Sequence, residues 1–392
     1  MKKQSKRILF ISPQPFFQWR GSPIRVGFNL LALSNLGYEV DFLTLPIGED
    51  KDIDGVRIIR VPNILRAKNI PIGPSWQKII FDILLVVYGF VLCWKNRYDV
   101  VHGVEEAGFI GAFLAKIFSK KAIFEKHSDP FSYKKGFLKN CMLYLYARVE
   151  KLSVRMADAV IGTGQGLVDQ VREMGSTTKP FHIFDIPSSL SEPSAIKVAE
   201  LRGDFQNHGD QVLITFVGSF AVYQGVELMF AAIPLVIAQD SNAKFLIIGG
   251  NGDEITEKTA HFKSLGCGDN VLFLGKIPPD SLPDYLAASD ILLSPRFSGV
   301  NTPLKVLDYM KAGRSIVATN IPSNRLLLDE NKAVLAPADP QGFANGIVEL
   351  VGDKQKRDLF GGRLLQLHKD KYNFKEYTTR LKACYEYVLN SD

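Results

Sequence analysis

Short apolar runs alternate with amphipathic helical patterns along nearly all of this 392-residue chain. Such alternation is typical of parallel β-sheets whose strands are joined by crossover helices. Seven strands are predicted in the first half, at residues 7–12, 38–45, 56–61, 99–102, 121–125, 157–162 and 180–184. Six more are predicted in the second half, at residues 212–217, 244–248, 271–274, 291–293, 315–318 and 333–336. The sequence therefore predicts an α/β protein with two Rossmann-like domains.

The two predicted sheets are separated by a segment that is rich in Pro, Ser, Asn and Gly and carries one short helical pattern, residues 186–209. This composition indicates an interdomain linker. A last helical pattern follows the second sheet and is free to return to the first domain. We expect an N-terminal Rossmann-like domain at 1–190, a linker at 191–209, a C-terminal Rossmann-like domain at 210–371, and a helix at 372–392 that packs on the N-terminal domain.

Composition and charge narrow the class of protein. Hydrophobic residues make up 46% of the chain and charged residues 22%, as in soluble globular proteins. The four cysteines form no C-x-x-C pair and no secretory signal is evident, so we expect a cytoplasmic protein without a zinc site or disulfide framework. Residues 1–190 carry 26 Lys and Arg against 17 Asp and Glu. This excess favours an anionic partner, either a phosphate-bearing substrate or an acidic membrane surface, whereas its scattered distribution argues against nucleic acid.

One apolar segment, residues 79–94, needs a separate test as a membrane element. Its 16 residues include Asp82, and a spanning helix needs about 20 apolar residues. We therefore predict that it does not span. It is either a helix buried against the first sheet or an apolar surface in the membrane interface, flanked by Lys78, Lys95 and Arg97.

A helix start follows the predicted strand at 291–293. Asn301, Thr302 and Pro303 fit this pattern, with Thr302 as the cap and Pro303 as the first helical residue. Free N–H groups at a helix start bind phosphate, and Lys305 adds a positive charge in the same turn. Asp308 lies three residues later on roughly the same face. The pattern predicts a cation for a diphosphate beside a carboxylate for a hydroxyl, or else an ordinary crossover helix with an exposed Lys/Asp pair.

Other candidate residues follow the predicted strands of the first half, where open α/β sheets bind ligands. The loop at 13–23 contains Gly21 and Ser22, and its 11 residues exceed the usual length of a strand-to-helix turn. His102 and Glu105 follow one strand and His127 follows the next. These side chains fit hydroxyl binding or proton transfer, but a structural histidine and a dipole-favoured Glu in a first helical turn fit the pattern as well.

Glycines end two predicted strands of the second half, in FVGSFAVYQG and in IIGGNG. Gly218 and Gly250 would let a nucleotide approach the backbone. Neither segment has the full G-x-G-x-x-G pattern, which argues against a nicotinamide enzyme.

In their order along the chain, these segments resemble a retaining glycosyltransferase of family 4, which belongs to glycosyl transferases group 1, in an NTPLK-type variant. The resemblance covers residues 7–390. It is carried by RGSPIRVGFNLLALSNLGYEVDFLT, FVGSFAVYQGVELMFAAIPLV, FLGKIPPDSLPDYLAASDILLSP, NTPLKVLDYMKAGRSIVATN and ADPQGFANGIVELVGDKQKRDLF.

The resemblance implies a GT-B fold, in which two Rossmann-like domains face each other across a cleft. It implies a metal-independent hexosyltransferase without a cofactor, whose donor is a nucleotide diphosphate sugar. The C-terminal domain at 210–371 would bind this nucleotide sugar, and the N-terminal domain at 1–190 would bind the acceptor. The acceptor would be a glycan or a lipid-linked molecule of cell-surface polysaccharide or glycolipid synthesis, and the enzyme would be peripheral on the inner face of the cell membrane.

The resemblance also implies roles for individual residues. His127, Lys305 and Asp308 would form the catalytic group: His127 near the sugar hydroxyls, Lys305 on the diphosphate, and Asp308 as the second acid of an E-x7-E motif, at the ribose. Substrate binding would involve the residues at the remaining loop and helix positions, namely Gly21, Ser22, His102, Glu105, Gly218, Gln224, Gly250, Lys276, Ile277, Asn301, Thr302 and Leu304.

Two positions depart from the family pattern. Val300 stands where the first acid of E-x7-E is expected, and Gln224 stands where many relatives place a phosphate-binding Lys. The first departure disfavours a carboxylate nucleophile and leaves a front-face reaction in which the leaving phosphate helps to deprotonate the acceptor. Both departures leave open a catalytically silent partner that binds nucleotide sugars. A GT-B epimerase is the other alternative, although the loop PRFSGVNTP lacks the acidic residues that it would need.

Overall fold

The computed structural model describes residues 5–18, 21–70, 75–129, 137–205, 211–298 and 302–391. The chain forms two compact units. Unit 1 comprises Met1–Asp185 together with Phe374–Asp392, and unit 2 comprises Ile186–Asn373. The C-terminal helix α14 (Phe374–Asn390) therefore belongs to the same unit as the N-terminal strand.

Unit 1 is built on a seven-stranded parallel sheet of order β3-β2-β1-β4-β5-β6-β7. Its strands are β1 (Arg7–Ser12), β2 (Glu39–Thr44), β3 (Val56–Arg60), β4 (Val100–Val104), β5 (Lys121–Lys126), β6 (Ala159–Gly162) and β7 (Lys179–His182). Besides α14, its helices are α1 (Gly21–Asn35), α2 (Trp76–Lys95), α3 (Ala107–Ile117), α4 (Phe137–Met156) and α5 (Gln165–Glu173).

Unit 2 is built on a six-stranded parallel sheet of order β10-β9-β8-β11-β12-β13. Its strands are β8 (Val212–Val217), β9 (Ala243–Ile248), β10 (Val271–Gly275), β11 (Ile291–Ser294), β12 (Ser315–Thr319) and β13 (Val334–Ala336). Its helices are α6 (Ala195–Phe205), α7 (Val226–Gln239), α8 (Gly252–Ser264), α9 (Leu282–Ala288), α10 (Leu304–Ala312), α11 (Pro322–Arg325), α12 (Pro340–Gly352) and α13 (Lys354–Asp370).

The central strands are apolar along their whole length because helices cover both faces of each sheet. In RILFIS, VLITFV and AKFLII nearly every residue is buried. Each unit has its own core, one around Leu9, Val101 and Phe124 and the other around Phe216, Ile247 and Leu293. The prediction of two Rossmann-like domains is confirmed.

All thirteen predicted runs form strands, with ends that shift by up to two residues. The strand predicted at 157–162 begins only at Ala159, although the Asp158 N–H donates to the Ala122 carbonyl at 2.9 Å and the Asp158 carboxylate accepts from the Ala122 N–H at 2.7 Å. The predicted strand at 180–184 lies instead at Lys179–His182. Shifts of one or two residues are usual at strand ends, where the backbone pairing fades.

The predicted start of α10 was wrong by one residue. Pro303, with φ −76° and ψ 101°, is the extended N-cap rather than the first helical residue, so Thr302 lies outside the helix and makes no capping bond. The helix ends as expected at Gly313, whose φ of 65° is the left-handed conformation that glycine tolerates best. The free N–H groups therefore belong to Leu304 and Lys305, since the Val306 N–H donates to the Pro303 carbonyl at 2.9 Å.

The length predicted for the apolar helix was also wrong. The helix α2 has 20 residues, because Ser75 caps it and accepts a hydrogen bond from the Lys78 N–H. Within the described residues, α2 is the single helix long and apolar enough to cross a membrane, by length and composition alone. It buries only Phe81, Leu85, Gly89 and Cys93. Three of these side chains belong to the core of unit 1.

Candidate functional site

Each sheet changes its direction of strand addition at one place, between β1 and β4 in unit 1 and between β8 and β11 in unit 2. Loops leave in opposite directions at such a point, and α/β proteins bind ligands in the resulting crevice at the carboxyl ends of the strands. Most of the candidate residues lie at these two places.

The backbone packs closely at the switch point of unit 2. Gly225, with φ 70°, caps the start of α7, and a Cβ atom at this position would overlap the Pro295 carbonyl in the loop after β11. The hydroxyl of Tyr309 on α10 donates to the Leu293 carbonyl at 3.1 Å and accepts from the Val217 N–H at 3.2 Å. These contacts hold the N-terminal ends of α7 and α10 beside the ends of β8 and β11.

Lys305 has a buried ammonium group at this switch point. Its Nζ lies 4.2 Å from the centroid of the Phe216 ring, and it has no hydrogen-bond partner within the described residues. A Cβ atom added at Gly218, where φ is 155°, would lie 2.9 Å from Nζ. Burial, and then repulsion from Arg296, lower the pKa of Lys305 to about 7. A buried cation without a carboxylate is costly, which is the usual mark of a site prepared for an anion.

Arg296 brings a second cation to the same region. It lies in the loop after β11, its Nε donates to the Ser298 carbonyl at 2.7 Å, and its guanidinium carbon lies 5.6 Å from the centroid of the Tyr223 ring. Burial lowers the pKa of Arg296 from its ordinary value. A planar guanidinium suits phosphate oxygens, so Lys305 and Arg296 together supply charge that Gln224 does not.

The carboxylate of Asp308 is hydrogen-bonded to Ser188 of the same unit. Its Oδ1 accepts from the Ser188 N–H at 2.6 Å, and both carboxylate oxygens lie 2.9 Å from the Ser188 hydroxyl. Burial raises the pKa of Asp308 to about 7. One turn later, Lys311 Nζ donates to the carbonyls of Ser189 and Ser191. The helix that carries Lys305 therefore also fastens the segment at 188–191.

The other residues predicted to bind substrate in unit 2 range from exposed to buried. The amide of Gln224 donates to the Tyr223 hydroxyl at 3.3 Å. Gly250 has φ 79°, and a Cβ atom there would crowd the Phe220 ring, so this glycine has a packing role. Lys276 is exposed and Ile277 half-buried, after the edge strand β10. Thr302 and Leu304 are half-buried around the start of α10, whereas Asn301 and Val300 lie outside the described residues.

The switch point of unit 1 is organised around Glu125, a buried carboxylate on β5. Its Oε1 lies 2.5 Å from Arg25 Nε and 2.8 Å from His127 Nε2. Its Oε2 lies 2.7 Å from Asn29 Nδ2 and 3.0 Å from His102 Nε2. Burial alone would raise the pKa of Glu125, but Arg25 and the two histidines hold it well below its ordinary value.

The contact with Glu125 fixes the tautomer of His127. Because the carboxylate only accepts, His127 Nε2 carries the proton. His102 Nδ1 lies 2.7 Å from the Tyr385 hydroxyl, whereas its Nε2 lies near Glu125 without hydrogen-bond geometry. His127 Nδ1 lies 3.1 Å from the Ser22 hydroxyl at the start of α1, next to Gly21. His102 is wholly buried, with the Tyr385 hydroxyl beside Nδ1 and the Glu125 carboxylate beside Nε2. This position fits a role in orienting Glu125, and a direct contact of His102 with substrate stays a prediction. His127 and Ser22 remain nearer the surface.

Glu105 lies beside His127 in a strained backbone conformation, with φ 51°. Its Oε1 accepts from the His127 N–H at 2.7 Å, and its Oε2 accepts from the Ser128 hydroxyl at 3.1 Å. Burial raises the pKa of Glu105 from its ordinary value. The structure thus joins the predicted residues Ser22, Glu105 and His127 into one hydrogen-bonded group.

Sequence reasoning missed Glu125, Arg25, Asn29 and Arg296. A usable signal was present for Glu125, because a carboxylate inside the apolar strand KAIFEK must find buried partners. Arg25 and Asn29 lie four residues apart on α1, on one helix face, and have no local signature of a pair. Arg296 follows a strand end, but nothing in the sequence shows that it lies near Lys305.

Comparison with known proteins adds independent evidence. Residues 211–353 match the family model of glycosyl transferases group 1, and residues 25–184 match that of the glycosyl transferase 4-like domain. An uncharacterized glycosyltransferase of Methanocaldococcus jannaschii is 24% identical over 391 residues, which is 93% of this chain and 97% of that protein. A phosphatidyl-myo-inositol mannosyltransferase of Mycolicibacterium smegmatis is 24% identical over 209 residues, 52% of each chain. The crystal structure of Anabaena HepE in complex with UDP has a TM-score of 0.72 at 14% identity, over 96% of this chain and 98% of that one.

The two family matches together cover more than three quarters of the chain and fall on its two units. The fold agrees with that of the GT-B protein HepE. The chain belongs to the glycosyltransferases of the GT-B type. The group 1 match lies within unit 2.

Proposed function

We propose that this glycosyltransferase is a retaining, metal-independent hexosyltransferase of family 4 that uses a nucleotide diphosphate sugar. The observation that carries the proposal is the buried ammonium group of Lys305, which has no hydrogen-bond partner within the described residues, at the switch point of unit 2. A diphosphate placed there would receive the Lys305 charge, the N–H groups at the start of α10 and the nearby Arg296.

These groups act on the charge that develops during transfer. The bond between the anomeric carbon and the diphosphate oxygen breaks, and the diphosphate takes the electron pair. On the same face of the sugar, the acceptor hydroxyl oxygen forms the new bond, and its proton passes to an oxygen of the leaving phosphate. Fixed cations around that phosphate stabilise the transition state more than the ground state. This front-face route needs no carboxylate at the position of Val300.

We assign the sugar and acceptor hydroxyls to the hydrogen-bonded group of unit 1. His127 and Ser22 lie nearest the surface there, and Glu105 bonds to the His127 backbone. Glu125 fixes the imidazole orientation, so His127 presents Nδ1 to the side of Ser22. Because its orientation is already fixed, this imidazole can accept a hydrogen bond from a hydroxyl without losing side-chain entropy.

For the acceptor we propose a lipid-linked or cell-surface glycan, at the cytoplasmic face of the membrane. Support comes from the similarity to a mannosyltransferase that acts on phosphatidyl-myo-inositol and from the basic excess of residues 1–190. Both are consistent with an anionic lipid acceptor.

Turnover with a panel of UDP, GDP and ADP sugars tests the proposal, with a lipid extract as acceptor, in the presence of a chelator. We expect release of one nucleoside diphosphate that depends on the acceptor, and a product with the anomeric configuration of the donor. A catalytically silent partner would bind one of these nucleotides with no release, and an epimerase would interconvert the nucleotide sugars without any acceptor. An inverted product or full loss of turnover in the chelator would contradict the mechanism proposed here.

A further inference from the structure

The outer face of α2 carries a continuous apolar stripe. Its members follow at spacings of three or four residues, which places them on one side of the helix: Trp76, Ile79, Ile83, Val87, Phe90 and Trp94. Their exposed fractions range from 39% for Phe90 to 75% for Trp94. The stripe is about 27 Å long at 1.5 Å per residue. Exposed side chains of this size are normally scattered singly on a soluble protein.

The opposite face of α2 anchors it to unit 1. Phe81, Leu85 and Cys93 lie in the core, and a Cβ atom at Gly89 would meet the Leu114 side chain of α3 at 2.7 Å. The helix therefore cannot leave the unit to span a bilayer without exposing that core. A helix held on one side and apolar on the other fits a position parallel to the membrane plane.

The exposed charges on α2, on α3 and directly after α2 are of one sign, whereas Glu106 at the start of α3 is paired with Lys78 at 2.6 Å. Lys95 and Arg97 are exposed at its C-terminal end, and Lys116 is exposed on the neighbouring helix α3. Neither helix has an exposed carboxylate, because α3 contains no acid and Asp82, the single acid of α2, is largely buried. A second copy of this chain would bring more cations against these, whereas anionic lipid head groups would neutralise them.

The neighbouring helix widens the apolar area. Phe90 and Phe118 lie with ring centroids 5.1 Å apart, at the point where α3 ends. Phe113 and Ile117 on α3 are 41% and 48% exposed. Tryptophans at both ends of the stripe suit the boundary between head groups and acyl chains, where indole rings concentrate.

We infer that the outer face of α2 docks in the plane of an anionic membrane surface, with its apolar stripe in the head-group boundary and Lys95, Arg97 and Lys116 on the lipid phosphates. This docking surface is separate from the switch point of unit 2 and does not require the proposed transferase activity.

Flotation of the full chain with vesicles tests this inference. We expect the protein to float with vesicles of phosphatidylcholine and phosphatidylglycerol at low salt, and to bind vesicles of phosphatidylcholine alone about tenfold less. The double variant Ile83→Glu/Val87→Glu should lose about tenfold or more of the binding, because two carboxylates would enter the head-group boundary. The matched control is Ile196→Glu on α6 of unit 2, where an equally apolar side chain is 72% exposed.

Each other outcome overturns the inference. Equal flotation of the double variant and the control would place binding elsewhere, and equal binding to both vesicle types would remove the role of the cations. A dimer that the double variant abolishes, without flotation, would assign the surface to a second copy. Membrane protein that resists carbonate extraction would indicate a spanning helix. Nucleotide affinity and circular dichroism, measured on the same variants, separate this result from loss of folding and from failure of the proposed function.

Discussion

Lys305 is the residue whose energetics are most unusual for a folded protein. Its amine is buried over the Phe216 ring, and burial lowers its pKa to about 7 from the ordinary 10.5. The folded chain therefore holds this amine at a cost that a bound anion would relieve. Stability and ligand affinity should consequently move in opposite directions when the residue is changed.

Lys305→Met should stabilise the unliganded protein by about 1–3 kcal/mol, since methionine fills similar space and its sulfur packs well on an aromatic ring. Because the unfolded state binds this proton up to pH 10.5 and the folded state only up to about 7, the Lys305 contribution makes stability rise with pH between those values. The stability difference between variant and wild type should therefore shrink as pH rises from 7 to 10.5. Denaturant unfolding at several pH values measures it, and a constant difference would contradict the assignment.

For Glu125 we expect the opposite effect on stability, because this buried charge is paired and its removal should destabilise the fold. Glu125→Gln places an amide donor against Arg25, Asn29 or a histidine. Among the described residues, Asp185 at 2.9 Å is then the one ionic partner left to Arg25. We expect a loss of about 3–5 kcal/mol in the free energy of unfolding of unit 1. The control is Glu257→Gln, a carboxylate with 75% of its side chain exposed. A loss below about 1 kcal/mol would show that the network does not depend on the charge.

The helix α10 has two roles, because it carries Lys305 and also holds a neighbouring segment of the chain. Its first turn presents Lys305, while Asp308 and Lys311 fasten residues 188–191. This arrangement was not expected from the sequence, where Asp308 was assigned to the nucleotide ribose by resemblance. In the structure both oxygens of that carboxylate already have a partner in Ser188.

Ser188→Ala removes a hydroxyl from Asp308 but leaves the backbone N–H bond. If the serine competes with a ribose for this carboxylate, the variant should bind a nucleoside diphosphate no more weakly than wild type, and its stability should fall by about 1 kcal/mol. If Ser188 positions Asp308 for the ribose, affinity should fall about threefold to tenfold. Calorimetric titration with UDP and GDP, beside Ser191→Ala as a control, distinguishes the two cases.

The sequence predicted the secondary-structure elements better than the side-chain contacts between them. Alternating apolar runs located every strand because each is a buried stretch between polar loops, a property local to the run. The start of α10 was misplaced because Pro303 fits both an N-cap and a first helical position, and only the ψ of 101° decides between them. The Glu125 network could not be predicted, since it joins β5 to α1, β4 and α14, which are distant in sequence.

On the scale of the whole molecule, unit 1 is discontinuous. Its C-terminal helix α14 buries Tyr377, Leu381, Cys384, Tyr385 and Val388, and the Tyr377 hydroxyl donates to Asn29 at 2.7 Å. The fold of unit 1 therefore depends on residues that are synthesised after all of unit 2.

Truncation after Asn373 should destabilise unit 1 by roughly 5–10 kcal/mol, from the loss of five buried side chains. Unit 2 keeps its own core, so nucleotide binding should persist in the truncated chain. Limited proteolysis should then cut first within residues 1–185. Truncation of Asp392 alone is the control, and an equally resistant unit 1 in the longer truncation would contradict the account.

The most direct measurement of the central claim is the affinity of a nucleoside diphosphate for wild type and Lys305→Met, titrated with UDP, GDP and ADP. The control is Lys354→Met, a lysine with 77% of its side chain exposed on α13. For the diphosphate that binds, we expect Lys305→Met to weaken affinity about 30- to 100-fold, the loss of about 2–3 kcal/mol for a charged hydrogen bond. The control should bind like wild type. Unchanged affinity in Lys305→Met would contradict the assignment of Lys305 to the diphosphate.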